Sequence, residues 1–119
     1  GADKDKARQD GDTALMTASG EGHLDVVRLL CEIWADKDKT DETSTTALMC
    51  ASAEGHLEVV HLLCKAGADK DKANEDGDTA LILASGEGYL EVVHVLCEAG
   101  ADKDKVGEHG ATALMWASA

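Results

Sequence analysis

The chain has 119 residues and a formal net charge of −13, with 24 Asp and Glu against 11 Lys and Arg. This acidic excess argues against nucleic acid as a partner, because its phosphates would be repelled. It also argues against an anionic membrane surface. No apolar stretch approaches the roughly 20 residues that span a bilayer, so we do not expect direct membrane insertion.

The sequence repeats itself at intervals of 33 residues. The triplet Thr-Ala-Leu begins at Thr13, Thr46, Thr79 and Thr112. Other residues keep the same spacing: Gly22, Gly55, Gly88, Cys31, Cys64 and Cys97. A fixed period of this length is typical of stacked units that cannot bury their apolar faces alone. We expect a single array over residues 1–119, with complete repeats at 7–39, 40–72 and 73–105. Residues 1–6 would then be the tail of a preceding repeat, and 106–119 the first half of a fourth.

The second unit predicts the elements of every repeat. Thr46 is expected to cap a short Ala-rich helix over residues 47–52, and Gly55 to end it. The apolar residues from 57 to 64 predict a second helix, and Gly67 is expected to form a left-handed C-cap after it. The polar connection that follows predicts a turn or hairpin loop. The fold class is therefore all-α, a solenoid of stacked helix-turn-helix repeats.

This pattern resembles the ankyrin repeat. In the second unit the matching residues are Thr46, Leu48, Ala51, Gly55, His56, Val59, Val60, Leu62, Leu63, Gly67, Ala68 and Asp69. The resemblance implies antiparallel helix pairs joined by protruding β-turn loops and stacked into a curved slab. It also implies a protein-binding module that uses its loop tips and the concave face of the first helices. In the family the histidine at 23 and 56, replaced by Tyr89 in the third unit, fastens the loop between helices.

The junction between the first two complete units departs from the other junctions. Trp34 stands where the next unit has Gly67, and Thr43-Ser44 replaces Asp76-Gly77. Trp is unfavourable in a left-handed cap, so we expect the second helix of the first unit to end differently. We find no dedicated capping repeat, although solenoids normally close their ends with polar ones. The alternative function is therefore structural assembly, in which uncapped ends dock head-to-tail onto a neighbouring repeat or a larger complex.

The main surface hypothesis is an acidic strip on the concave face. Repeat stacking would align Glu21, Glu54 and Glu87 at intervals of roughly 10 Å, facing a basic protein segment. Ordinary solvated charge is the competing interpretation. We expect partner contacts at Glu21, Glu54, Glu87, Gln9, Asp10, Asp12, Glu42, Thr43, Thr45, Glu75, Asp76, Asp78, Glu108 and His109.

The sequence predicts neither an enzyme nor a bound cofactor or metal. No motif assembles a nucleophile, a base and oxyanion donors. The His61–Cys64 and His94–Cys97 pairs lie on separate layers and are a poor match to a tetrahedral zinc site. The Asp69–Asp71 run and its copies lack the remaining ligands of a calcium loop. We interpret the repeated cysteines as reduced and mostly buried, which indicates an intracellular and cytoplasmic protein.

Overall fold

The computed structural model describes residues 14–33 and 36–101. All regular elements in these two ranges are helices, which confirms the all-α prediction. The six helices are α1 (14–21), α2 (Leu24–Ile33), α3 (Ala47–Ala53), α4 (Leu57–Lys65), α5 (Ala80–Glu87) and α6 (Leu90–Glu98).

The helices form two layers of stacked repeats. The first helix of each repeat packs on its own second helix, as α3 does on α4 and α5 on α6. Within the layers, α3 contacts α5, while α4 contacts both α2 and α6. A chain that adds one helix pair at a time therefore builds a first-helix layer of α1, α3 and α5 and a second-helix layer of α2, α4 and α6.

The start of each inner first helix is fixed by a buried threonine. The Thr46 hydroxyl accepts a hydrogen bond from the Met49 backbone N–H at 3.2 Å, and Thr79 accepts from Ile82 at 3.3 Å. Each hydroxyl satisfies an amide that has no partner inside the helix. The prediction that Thr46 is an N-cap is confirmed. The left-handed cap predicted after α4 is also confirmed, because Gly67 has φ of 92°.

Aromatic rings tie each repeat to the turn of the one before it. The His56 ring donates from Nε2 to the Gly20 carbonyl at 3.0 Å, which confirms its predicted fastening role. Tyr89 holds the equivalent position over Gly55, where a Cβ would lie 2.8 Å from the Tyr89 Cε1 atom. Gly55 also has φ of +75°. A side chain at this turn would therefore be strained by the backbone and would also collide with the next repeat.

The core is a continuous row of aliphatic side chains between the layers. Leu15, Leu48 and Leu81 recur at the same repeat position, and each is at most 1% exposed.

The cysteines are less buried than the sequence predicted. All four are free and only half-buried: Cys31, Cys50, Cys64 and Cys97. Cys64 follows the fully buried Leu63 along α4, and the helical rotation of about 100° turns it to the edge of the apolar stripe.

The first described repeat is less covered than the repeats that follow it. Val26 on α2 is 46% exposed, whereas Val59 and Val92 at the same repeat position are 1% and 2% exposed. The helices that carry the inner valines pack on the second helix of the preceding described repeat, α4 on α2 and α6 on α4. Helix α2 ends at Ile33, one residue later than the repeat spacing of α4 and α6 would give. Residues 34 and 35 lie outside the described residues, so the expected difference in the end of α2 stays a prediction.

Candidate binding surface

The three repeated glutamates lie at the same end of the first-helix layer. Glu21 is the last residue of α1, Glu54 is the C-cap residue of α3, and Glu87 ends α5. All three are exposed. The packing of α3 on α5, and the 3.5 Å between the Cys50 Cβ and a Cβ built on Gly20, place them in consecutive repeats on one surface. We call Glu21, Glu54 and Glu87 the acidic row; their spacing along the row stays a prediction.

The acidic row lies where carboxylates do not help the helices. The carboxyl end of a helix carries a partial negative charge, so each glutamate is repelled by the helix that holds it. Glu21 has a weak partner in His23, whose Nε2 is 3.8 Å from the carboxylate. No ion pair of Glu54 or Glu87 is found among the described residues. The partial negative charge of each helix end and the carboxylate of its glutamate therefore lie together on this part of the surface.

The first hairpin, residues 41–45, carries three of the predicted contact residues. Glu42 and Thr43 are exposed, and Thr45 is half-buried. The Asp41 carboxylate organises the turn by accepting from the Thr43 N–H at 2.8 Å, the Thr43 hydroxyl at 2.8 Å and the Thr45 N–H at 3.0 Å. The Thr43 and Thr45 hydroxyls also lie 2.8 Å apart. Both hydroxyls are thus engaged in shaping the loop, and their role as partner contacts stays a prediction.

The second hairpin, residues 74–78, repeats this arrangement with an amide in place of the carboxylate. The Asn74 side-chain oxygen accepts from the backbone N–H groups of Asp76 and Asp78, each at 3.0 Å. Glu75 and Asp76 are exposed and Asp78 is half-buried. The Glu75 N–H donates to the Thr43 carbonyl at 2.9 Å, so the tips of the two hairpins are joined directly. Their acidic side chains therefore belong to one continuous edge.

The positions of five predicted contacts lie outside the described residues: Gln9, Asp10, Asp12, Glu108 and His109. Sequence reasoning missed residues that hold the loops in place. Asp38 accepts from the Asp69 N–H at 2.7 Å, and its carbonyl accepts from Lys72 Nζ at 3.3 Å. The sequence could have indicated this role of Asp38, because Asp in a turn commonly accepts hydrogen bonds from nearby backbone N–H groups, and it recurs at the same repeat position.

No group of three or more His, Cys, Asp or Glu side chains in residues 14–33 and 36–101 could hold a metal ion. Burial raises the pKa of the Cys64 thiol, although nearby Lys70 opposes the shift. Burial is also the main cause of the raised pKa of Cys50, and Asp41 and Glu54 add to it by repelling a thiolate. These thiols therefore stay protonated at neutral pH and are weak nucleophiles.

Comparison with known protein families agrees with the stacked helix pairs described above. Over the described part of the chain, no helix has both the length and the apolar character required to cross a membrane. No curated protein matches the chain. A family model described as ankyrin repeats, in three copies, matches residues 1–74 and 67–119. The two matches together span the whole sequence, so the chain belongs to the ankyrin repeat family.

Proposed function

We propose that this protein is a non-enzymatic scaffold that binds a basic segment of a partner protein along the acidic row and the two hairpin tips. Ankyrin repeats are in general protein–protein interaction modules. The observation that carries the proposal is the acidic row itself. Its three glutamates are exposed in consecutive repeats, and each carboxylate is repelled by the negative end of its own helix. A charge pattern that does not favour folding is expected where it serves binding.

Rigid preorganisation would make such a surface effective. The backbone of each hairpin is already held by hydrogen bonds, and the tips are joined by the bond from Glu75 to Thr43. A surface that orders little on binding loses little entropy, so several weak charge contacts can add up. We further propose that the protein acts inside the cell, which the four free cysteines support because reducing compartments keep thiols unpaired.

The proposal is tested with a synthetic Lys/Arg-rich peptide and a triple variant, Glu21→Gln, Glu54→Gln and Glu87→Gln. Each exposed charge contact contributes about 0.2–1 kcal/mol, so we expect the Kd to rise about tenfold and to depend less on salt. The matched control is Asp25→Asn, Glu58→Gln and Glu91→Gln, which removes three exposed carboxylates from the second-helix layer. Equal weakening in both variants, or in neither, would contradict the acidic row as the binding surface.

A second candidate function, head-to-tail assembly, is favoured by the exposed apolar face of α2. Val26, Leu29 and Ile33 lie on one side of this helix and are 46%, 57% and 58% exposed. Because α4 packs on a neighbouring second helix, α2, a helix of the same chemistry in a second copy is the expected occupant. Sedimentation should show concentration-dependent association that Leu29→Glu abolishes and Arg28→Glu leaves intact. A monomer at every concentration would exclude assembly.

A further inference from the structure

The turn after each of the first two described first helices holds an aromatic ring of the next repeat. The His56 ring bonds to the Gly20 carbonyl through Nε2 at 3.0 Å, and a Cβ at Gly22 would lie 2.6 Å from its Nδ1 atom. Glu21 stands between these two glycines, and Glu54 is two residues before His56 in the chain. An aromatic ring therefore lies between the turns that carry the first two glutamates of the acidic row.

The Tyr89 ring has the same place between the second and third glutamates, but it is more exposed than the His56 ring. A Cβ at Gly55, which follows Glu54, would lie 2.9 Å from the Tyr89 Cδ1 and Cζ atoms. Glu87 is two residues before Tyr89 in the chain. Tyr89 is 36% exposed, whereas His56 is half-buried. A phenol ring also cannot become a cation, as an imidazole can. The second gap of the acidic row therefore offers an exposed and neutral aromatic ring.

The charges around these turns attract a cation. Each turn, with the start of the second helix that follows it, belongs to one of three segments: 20–26, 53–59 and 86–92. The segments contain six carboxylates and no Lys or Arg. The six are all exposed: Glu21, Asp25, Glu54, Glu58, Glu87 and Glu91. Arg28, which follows on α2, is 3.9 Å from Asp25, and Lys65 is at the far end of α4. A basic group is thus the occupant that these carboxylates favour.

We propose that Tyr89, between the turns of Glu54 and Glu87, selects arginine over lysine in the basic segment of the partner protein. A planar guanidinium stacks on an aromatic ring and can form two parallel hydrogen bonds with a carboxylate. An ammonium group is a compact charge that stays strongly hydrated. The ring and a neighbouring glutamate would therefore hold one guanidinium together. This role of Tyr89 rests on the proposed function, because it specifies which cation the acidic row prefers at one place.

Fluorescence anisotropy tests the proposal with two labelled peptides of equal length and charge, one with only Arg and the other with only Lys as basic residues. We expect Tyr89→Leu to weaken binding of the Arg peptide about two- to fivefold, which is the effect of losing one exposed cation–π contact. Binding of the Lys peptide should weaken by less than about twofold, which also shows that the rest of the surface is intact.

The matched control is Tyr89→Phe, which keeps the ring and removes only its hydroxyl. This variant should bind both peptides as the natural chain does, because the stacking surface is unchanged. Circular dichroism checks that both variants are folded.

Proton NMR of the complex with the Arg peptide gives a result that a purely structural role of Tyr89 would not produce. The arginine methylene protons next to the guanidinium should shift upfield on binding to the natural chain and to Tyr89→Phe, because they would lie over an aromatic ring. They should not shift upfield on binding to Tyr89→Leu.

The outcomes separate this role of Tyr89 from the proposed function. An equal ratio of the two Kd values in the natural chain and in Tyr89→Leu, or the absence of an upfield shift, would overturn the selection of arginine and leave the acidic row as the binding surface. Failure of both peptides to bind the natural chain would overturn the proposed function, and the role of Tyr89 with it.

Discussion

The two hairpins have the same backbone but reach it by different chemistry. In the first hairpin the Ser44 N–H donates to the Asp41 carbonyl at 3.1 Å, and the Asp41 N–H donates to the Thr45 carbonyl at 3.1 Å. In the second hairpin, Gly77 and Asn74 make the equivalent bonds at 2.9 and 3.0 Å. The shared hydrogen bonds show that two hairpins with different residues adopt the same backbone conformation.

The difference lies in how each hairpin enters the left-handed region. Gly77 has φ of 80°, which costs glycine nothing, whereas Ser44 has φ of 64°. A left-handed conformation costs a residue with a Cβ about 1–2 kcal/mol. The first hairpin offsets this strain with a carboxylate that accepts three hydrogen bonds, where the Asn74 side-chain oxygen accepts two. Strain at one residue is thus tolerated because the neighbouring side chains determine the turn.

The largest expected effect comes from adding a Cβ to the unstrained hairpin. Gly77→Ala should lower the free energy of unfolding by about 1–2 kcal/mol, because alanine would be held at positive φ without an additional carboxylate bond. The control is Ser44→Ala, which already has a Cβ at the equivalent position and should change stability by less than about 0.5 kcal/mol. Urea denaturation measures both, and equal losses would mean that the two turns are not different in strain.

Removing the organising carboxylate is expected to have the next largest effect. Asp41→Ala loses three hydrogen bonds and should lower the free energy of unfolding by about 1 kcal/mol, a value reduced because the site is exposed. Asn74→Ala is the matched control and should lose less, since it breaks two bonds around an unstrained glycine. Thermal denaturation checks the order, and a larger loss for Asn74→Ala would contradict the proposed compensation.

Relieving the strain should have a smaller effect of opposite sign. Ser44→Gly makes the first hairpin resemble the second and should raise the free energy of unfolding by about 0.5 kcal/mol. The gain is limited because glycine loses more conformational entropy on folding. The measurement is again urea denaturation, beside Thr40→Gly as a control at a position without positive φ. Destabilisation by Ser44→Gly would show that Ser44 is not strained.

The smallest expected effect is a change in how the stability of the protein depends on pH. The Thr43 hydroxyl is the main cause of the lowered pKa of Asp41, followed by the Thr45 and Thr43 backbone N–H groups. Because this pKa is lower in the folded protein, its stabilisation is complete above the ordinary Asp value of 3.8. The stabilisation is lost as pH falls through the folded pKa.

Thr43→Val removes that hydroxyl and should move the pKa of Asp41 back towards its ordinary value, with less stability left to lose in acid. Carboxyl-carbon NMR titration measures the shift, and Thr45→Val serves as the comparison because the Thr45 hydroxyl does not donate to Asp41 among the described bonds. An unchanged Asp41 titration in Thr43→Val would contradict the assigned cause.

Much of the fold follows from local residue chemistry. Thr46 predicts a helix start because its hydroxyl reaches an amide of the first turn, and Gly67 predicts a helix end because it adopts positive φ freely. The role of the His56 ring could also be predicted, because the repeat pattern of the family places a histidine at this position. Such features depend on residues a few positions apart or on a family pattern, and both are visible in one sequence.

Features that depend on how far neighbouring helices rotate or separate were not predictable. The half-buried Cys64 and Cys97 lie one residue beyond the fully buried Leu63 and Leu96, and a small helix rotation decides their exposure. The depression between Arg28 and Lys65 exists because side chains from the second helices of three repeats meet there. The three hydrogen bonds that Asp41 accepts were not predicted. Asp and Asn have similar preferences for turns, and only the position of the Thr43 hydroxyl in the structure distinguishes them here.

The most direct test of the central claim is an NMR titration of the natural chain with the Lys/Arg-rich peptide. If the acidic row is the binding surface, the largest amide shifts should fall next to Glu21, Glu54 and Glu87 and on the tips of both hairpins. The amides of α2, α4 and α6 should change little. Largest shifts along the second helices, or small shifts spread evenly over the chain, would contradict the account.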